Sequence, residues 1–522
     1  MKNKDHIENM RDGQTESPWQ SSLNRQIQPN AAENGVIYDT LVVGGGITGV
    51  TTAFLLQKSG QKCVLAEAHQ LGFGTTGGTT AHLNTFFDTT YPEINSAFGT
   101  EAATMMATAA KNVIDFIKAN IDTLDIDADF EYKDAYLFSQ NEKETDQLQE
   151  ILSAAKQAGV SVSEVFENGV PINFEHALLF KDQAQFHPLK YIYAIAQAFQ
   201  KLGGILLENT IITDSSFKDE IHSAEAGHIN LKAKNLVYAT HIPPGVNLLS
   251  LRNAPYRSYV LGVKLEDDEY PESLAYDMQE PYHYFRPHKI NGEKILIVGG
   301  GEDHKTGHGD PQQAFKNLKQ YVRKYFKVSD IPYHWSSQYY IPVDGLPYIG
   351  HLPGGDERIF TATGFNGNGM ILGTLSAMII HDLILNKENR YADLFKPSRL
   401  KLVAGFTEFV KENADVAYHF IADRLSAETL DSINQLEPDE GKIVSFDGHK
   451  IAVYKDAKGK VTALSPTCTH AGCIVNWNGA EKSWDCPCHG GRYAIDGKVI
   501  TGPPQKNLEQ IDINNVSFFN EV

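Results

Sequence analysis

The chain has little that would take it into or across a membrane. Its first roughly thirty residues are polar and mixed in charge, without the apolar core of a secretory leader. No run of about eighteen apolar residues follows. The most apolar helix candidate, 370–385, is broken by Thr374, Ser376, His381 and Asp382. These absences predict a soluble, cytoplasmic protein with no membrane span. Positive charge is also short: 46 Lys and Arg face 65 Asp and Glu, a net charge of −19. No basic patch stands out, so no nucleic-acid partner is expected. Cysteine is scarce, with five residues. Cys63 is alone in an apolar run, where a buried core thiol is the expected role. The other four crowd into 468–488.

Those four stand in two boxes. The first reads Cys468-Thr469-His470-Ala471-Gly472-Cys473 and the second Cys486-Pro487-Cys488-His489-Gly490. Two Cys and two His at C-x-H and C-x-x-H spacing can hold one iron by thiolates and a second by imidazoles, the mixed ligation of a Rieske [2Fe-2S] centre. Neutral imidazoles leave the oxidised cluster less negative than four thiolates would, so it accepts an electron more easily. A Cys₂His₂ zinc site is the competing reading, because such spacings often mark one. Three details weigh against zinc. Cys473 and Cys488 occupy matching places where a disulfide could tie the loops, Gly472 and Gly490 permit tight backbone near the sulfurs, and Pro487 stiffens the second loop.

The boxes resemble those of Rieske proteins. In that family the outer Cys and the His of each box bind iron, which implies Cys468, His470, Cys486 and His489 as ligands here. The inner pair, Cys473 and Cys488, resembles the disulfide of high-potential, respiratory-type domains, which ring-hydroxylating dioxygenases usually lack. In the cytoplasm such a bond needs shelter from reductants, which burial beside the cluster could supply. Respiratory proteins usually carry Ser after Cys-Pro-Cys-His-Gly, with its hydroxyl bonded to a bridging sulfide; this chain has Gly491. Tyr493 matches the family's second donor. Hydrogen bonds to the sulfurs raise the potential, so the departure implies a potential below that of the respiratory proteins.

Near the other end, a β-branched apolar run at 36–43 leads into Gly44-Gly45-Gly46-Ile47-Thr48-Gly49 and a helical pattern through Val50, Ala53, Leu55 and Leu56. G-x-G-x-x-G between strand and helix binds dinucleotides. Gly44 permits the turn, Gly46 lets a pyrophosphate approach, Gly49 allows close helix packing, and the helix-start amides of Ile47 and Thr48 face the phosphates. A second strand, 63–67, ends in Glu67, placed to bond ribose hydroxyls, with Ala68 beside it. The stretch 72–82 is rich in small residues and hydroxyls. It suits backbone packed on a long phosphate–ribityl chain, through Gly74, Thr75, Thr76, Thr79, Thr80 and Ala81; the alternative is a mobile glycine-rich loop. A second glycine run, 299–301, follows Ile295-Leu296-Ile297-Val298, but its sixth position is His304 and 302–310 cannot open a helix. No pyridine nucleotide site is expected there.

Residues 36–400 resemble the FAD-dependent D-amino acid oxidase superfamily, in its glycine-oxidase and sarcosine-oxidase branch. Three further segments carry the match. Leu236-Val237-Tyr238-Ala239-Thr240-His241 resembles the strand that returns to the pyrophosphate, and Asp344-Gly345-Leu346-Pro347-Tyr348-Ile349-Gly350 the family's D-G-x-P-x-I-G. Ala362-Thr363-Gly364-Phe365-Asn366-Gly367-Asn368-Gly369-Met370 resembles its closing flavin motif. The resemblance implies FAD, with Ile212, Ala239, Thr240, Asp344, Gly345, Gly364, Asn366, Gly367, Gly369 and Met370 added to its site. The last segment opens the 370–385 helix, whose N-terminus near the flavin N1–O2 edge would stabilise the anionic reduced ring.

Apolar spacing predicts helices at 101–121, 143–158 and 188–202, and strands at 204–212, 255–265, 282–286 and 294–298. In the resembled family such strands cover the flavin and make the substrate pocket. Alternation puts Tyr282, Tyr284 and Arg286 on one face. An Arg fork fits a carboxylate and Tyr can close over it; the alternative is a half-buried sheet edge with Arg286 in a surface ion pair. His304 and His82 are weaker catalytic candidates.

The expected organisation begins with a flexible arm, 1–33, in which Trp19 is either an anchor or a loose aromatic. An FAD-dependent oxidoreductase covers 34–401, with FAD-binding parts at about 34–90, 200–250 and 340–400 and a substrate sheet at about 251–340. A helical connector, 402–437, leads to a Rieske domain, 438–522, with short strands at 443–446, 450–454 and 461–464. The fold class is an α/β Rossmann-like FAD-binding domain with an α+β substrate sheet, plus a small all-β domain. This order is that of bacterial proteins in which the flavoprotein carries a C-terminal Rieske domain. It implies oxidation of a small amine, amino acid or imino acid, with electrons passed from FAD to the cluster and on to an external one-electron acceptor, a protein or a quinone. Two alternatives stand beside it: an O₂-using oxidase whose Rieske domain is structural or a redox sensor, and a reductase fed by a ferredoxin.

Overall fold

The computed structural model describes residues 15–23, 27–33, 35–227, 229–356, 358–399, 436–446 and 449–512. The β-branched run at its start becomes the strand Ile37–Val43, buried from its second residue on apart from Asp39. A strand covered on both faces belongs in a parallel sheet between helices. Cys63–Ala66 and Ile229–Tyr238 flank it in parallel, and Ile205–Leu207 and Ile359–Thr363 extend the sheet outward. The helices Ile47–Lys58 and Gly369–Ile384 pack on one another against this sheet. The single strand expected at 204–212 is in fact two. Asn209, with φ +52, turns the chain between Ile205–Leu207 and Ile212–Lys218, and its amide donates to His69 O at 2.7 Å.

The second sheet has ten strands and is antiparallel except for one pair, Leu274–Asp277 beside Glu131–Ser139. Its long strand Asn253–Leu265 pairs with both Glu293–Gly300 and Val328–Pro342. Glu293–Gly300 lies between antiparallel neighbours, so the glycine run that closes it does not open a nucleotide-binding turn. The helices Thr100–Leu124, Glu142–Gln157 and Pro188–Lys201 fall where spacing put them. The C-terminal module is all antiparallel: a three-stranded sheet, Glu440–Phe446, His449–Lys455 and Val461–Leu464, and a four-stranded sheet from Asn476–Asn478 to Val499–Thr501. The expected connector lies outside the described residues except for its last two, Leu436 and Glu437.

The arm is not free where it is described. Pro18–Ser22 is a helix capped by Ser17, whose side chain accepts from Gln20 N. Trp19 is fully buried, and its Nε1 donates to Thr79 O at 2.6 Å. Its ring meets His187 and His288 edge-on. A buried Trp removes roughly 150–250 Å² from water, which offsets much of the cost of ordering one helical turn. The segment therefore straps the Thr75–Gly78 helix rather than trailing from the body.

Candidate cofactor and substrate sites

A cavity of about 640 Å³ is lined by every expected cofactor residue except Gly49, Ala81, Asp344, Gly345 and Gly364. Its glycine turn presents bare backbone. Gly44 holds φ +109, and a Cβ there would lie 2.5 Å from Ala239 O. A Cβ on Gly49 would lie 1.8 Å from Gly44 O, so Gly49 supports the turn from behind. Gly46 caps the helix Ile47–Lys58 without a side chain, leaving its positive end to the cavity. Glu67 is 9% exposed; its Oε2 accepts from Gly45 N at 2.6 Å and its Oε1 from His69 N at 2.9 Å. Burial pushes its carboxyl up, and its remaining lone pairs suit hydroxyl donors. A pyrophosphate and a ribose fit this cradle.

The other expected residues build the wall. The Ala81 carbonyl, like that of Thr80, accepts from Arg286. Asp344 is ion-paired with Arg399 at 2.7 Å, Gly345 O accepts from Thr89 Oγ1, and Gly364 packs against Asn253 and Pro342.

At the substrate end, Tyr282 and Tyr284 line the cavity and Arg286 does not. Arg286 shares a face with Tyr284, but it is fully buried further along His283–Ile290. Its guanidinium holds the carbonyls of Thr80, Ala81 and Phe186, touches His288 Nδ1, and lies 5.2 Å over the Trp19 ring. That replaces both earlier readings, carboxylate fork and surface ion pair. His304 also lies off the cavity, with Nε2 3.1 Å from Tyr259 OH and Nδ1 2.9 Å from Glu302 O. His82 does line it.

Sequence reasoning missed the carboxylates of this end. Asp303 Oδ1 accepts from Ser258 Oγ at 2.8 Å and Oδ2 from Tyr339 OH at 3.0 Å. Asp303 is partly uncovered because it lines the cavity, yet burial among protein atoms pushes its carboxyl up to about 7 against those hydrogen bonds. Asp88 Oδ1 accepts from Tyr282 OH at 2.9 Å and its Oδ2 from Gly367 N, and burial raises it too. The only signal for either was an acid in a run otherwise aromatic or glycine-rich, too weak to single out.

The four expected iron ligands converge. Cys468 and Cys486 are 2% and 1% exposed, and their thiols hydrogen-bond. The His470 and His489 rings meet edge-on with centroids 4.8 Å apart. His470 Nδ1 and both His489 ring nitrogens are buried without partners. Buried polar atoms rarely stay unpaired; an iron would take His470 Nδ1 and one of the two His489 nitrogens. Burial, with His470 nearby, holds His489 down at about 4, and burial lowers His470 as well. Both rings are thus the neutral form that ligates. Hydrogen bonds from Cys486, Tyr493 and the backbone draw Cys468 down against burial, while the hydrogen bond to Cys468 and burial push Cys486 up. The sulfurs of Cys473, Cys486 and Cys488 lie within 4.8 Å of one another, but Cys473 and Cys488 are bonded together, which leaves Cys486 as the thiol of the three open to a metal. The bonded pair are each 2% exposed. The donor set, the neutral rings and the sheltered disulfide fit a Rieske cluster.

The cluster module docks on the flavin module through buried charge. Arg257 pairs with Glu481 at 2.9 Å, Glu481 also with Arg492, and Arg492 with Asp485 at 3.0 Å, all four at most 2% exposed. Removing one member of such a set costs about 3–5 kcal/mol. Tyr340 OH donates to His489 O and Gln338 Nε2 to Gly490 O, while His470 Nε2 lies 3.1 Å from Gly245 O. Gly490, at φ +73, is required there, because a Cβ would lie 2.6 Å from Pro255. Ser337, Gln338 and Tyr339 line the cavity, and so do 499–505 of the small module.

Comparison with known proteins agrees with this geometry. The FAD dependent oxidoreductase family matches residues 39–383, and the Rieske [2Fe-2S] domain matches 428–512. The putative Rieske 2Fe-2S iron-sulfur protein YhfW of Bacillus subtilis (strain 168) is 35% identical over 502 residues, 96% of this chain and 98% of that one. Gamma-glutamylputrescine oxidoreductase of Escherichia coli (strain K12) is 23% identical over 430 residues, 79% of this chain and 99% of that one. The crystal structure of glycine oxidase from Geobacillus kaustophilus shares the fold at a TM-score of 0.56 and 19% identity, covering 70% of this chain and 99% of that one. No helix among the described residues is long and apolar enough to cross a membrane. The chain belongs to the FAD dependent oxidoreductase family and is an enzyme that binds FAD in its first module and a [2Fe-2S] cluster in a C-terminal Rieske domain.

Proposed function

We propose that the protein oxidises a small amine, amino acid or imino acid at its C–N bond and passes the electrons singly, through the Rieske domain, to an external acceptor protein or quinone. When bound, FAD supplies the two-electron oxidation and the cluster the one-electron steps. The observation that carries this reading is the shared wall. The strand Val328–Pro342 lines the cavity with Ser337, Gln338 and Tyr339 and bonds the second cluster box through Gln338 and Tyr340. A Rieske domain with no electron traffic to the flavin has no need of that strand. The expected ligands and the cofactor residues keep the roles the family gives them, and Tyr282 and Tyr284 face the substrate. Asp303, poised near neutrality, accepts the ammonium proton that must leave before oxidation. The relative that acts on gamma-glutamylputrescine, by its name, supports C–N chemistry.

The test uses the holoenzyme without oxygen. A panel of amines, amino acids and imino acids is mixed with it, and the flavin band and the cluster signal are followed together. Bleaching of the flavin followed within seconds by reduction of the cluster is expected. A cluster that stays oxidised for minutes beside a bleached flavin rules out the relay.

A further inference from the structure

We infer that the substrate end of the cavity takes a cationic amine with no carboxylate on the carbon beside its nitrogen, held by Asp88 and Asp303 within a cage of tyrosines. This rests on the amine-oxidising reading above and narrows it.

The charge of the wall decides between the two substrate classes. A substrate carboxylate needs an Arg or Lys to receive it. Among the described residues no lysine lines the cavity, and the two arginines that do, Arg257 and Arg492, are committed to Glu481 and Asp485 in buried ion pairs. Arg286 stands behind the wall. His82 and His241 are kept uncharged by burial, at about 3 and about 4. An amino acid entering here would bring its carboxylate against two carboxylates and, among the described residues, no uncommitted cation.

An ammonium group meets the opposite reception. Asp88 and Asp303 both line the cavity, and Asp88 is near enough to raise the cost of ionising Asp303. Among the described residues, the hydrogen bonds to their carboxylates come from hydroxyls and one backbone amide, never from a cation. Acceptors wait beside them. Asn84 is 5% exposed with Oδ1 unpartnered, and Ser337 is 9% exposed with Oγ unpartnered; both line the cavity. An alkylammonium brings up to three N–H donors. Tyr276, Tyr282, Tyr284 and Tyr339 complete the lining, and aromatic faces attract desolvated cations.

The experiment measures binding apart from turnover. Holoenzyme is titrated with n-butylamine and putrescine, and separately with acetate, butyrate and glycine, reading the oxidised flavin spectrum and the melting temperature. The amines should perturb both, and the carboxylates and glycine should perturb neither. Asp303→Asn and Asp88→Asn should lose at least about tenfold in amine affinity while keeping flavin and cluster absorbance. Asp303→Glu, which keeps the charge, should recover most of it. The inference is overturned if acetate or glycine binds as tightly as butylamine, if both Asn variants bind amines like the parent, or if no amine binds. Amines that bind without ever bleaching the flavin would leave the assignment standing and sink the oxidation reading instead.

Discussion

The cluster site and the substrate end of the cavity are assembled in opposite ways. All four expected iron ligands come from 468–489, two short boxes closed by the antiparallel Thr467–Ile474 bridge and by the pairing of Ser483–Asp485 with Arg492–Ala494, and they meet because these turns do. The substrate end takes Asn84 and Asp88 from one loop, Ser258 from the long central strand, Tyr276, Tyr282 and Tyr284 from another part of the sheet, and Asp303 and Tyr339 from two more. A metal ion reaches only about 2 Å for its ligands, so the chain must bring them close in sequence or lock them rigidly. A small-molecule pocket is wall space, and any strand end can supply a wall. The first kind of site can be read from spacing. The second exists only once the sheet is paired.

The largest expected effect tests whether the cluster site is as self-contained as its spacing suggests. Cys486→Ser removes one of two thiolates and should abolish the cluster, seen as complete loss of its visible and paramagnetic signals and of acid-labile sulfide. Flavin content and substrate bleaching should persist, and transfer to a one-electron acceptor should fall to background. If acceptor reduction survives, the two sites are not in series.

At the substrate end, Asp303→Asn should lower kcat/KM for an amine by about 10²–10⁴-fold, the usual worth of a positioned proton acceptor. The pH dependence follows from its raised carboxyl. The ionised form, which holds an ammonium and takes its proton, gains population as pH rises through about 7. The parent's kcat/KM should climb with unit slope below that pH and flatten above it, and the Asn variant should lose this limb. Stability without ligand runs the other way: the raised carboxyl stabilises the fold below its unfolded value, and that contribution is lost as pH climbs through 7.

Much of the fold was legible because it is local. The strand–glycine–helix at 37–58 declares itself through β-branching, a glycine turn and helical spacing, and Glu67 follows at the next strand's end. Tyr282 and Tyr284 were legible through strand alternation, and alternation alone misled at Arg286. It placed the guanidinium on the tyrosines' face but could not show that the cavity ends before reaching it. Nor could it show that Trp19, roughly 270 positions away, would cover that ground. Asp88 and Asp303 had no periodicity or motif to mark them.

Arg286→Ala sharpens this point, since the two roles predict different failures. A carboxylate fork would raise KM and leave the fold intact. The observed bonds predict a stability loss of about 3–5 kcal/mol, with three carbonyls left without their donor. Thermal unfolding should shift down by roughly 4–6 °C, and the fraction that stays folded should bind amines with near-normal affinity.

The smallest effect concerns the one place where the cluster boxes depart from the respiratory pattern. A serine hydroxyl at 491 would bond a sulfur of the cluster and raise its potential. The structure adds a reason for the glycine: a Cβ at 491 would lie 2.7 Å from Pro504 Cδ and 3.8 Å from Cys468 Sγ. The pyrrolidine ring occupies the space the serine needs, while Tyr493 OH already donates to Cys468 Sγ at 3.2 Å. Gly491→Ser alone should therefore disturb the 499–505 loop and shift the potential little. Gly491→Ser with Pro504→Ala frees the space, and its cluster should titrate at a more positive potential than the parent and than Pro504→Ala alone. Equal potentials in all three would mean that the hydroxyl does not reach the cluster, and that spacing around the ligand boxes carries less of the tuning than the ligands themselves.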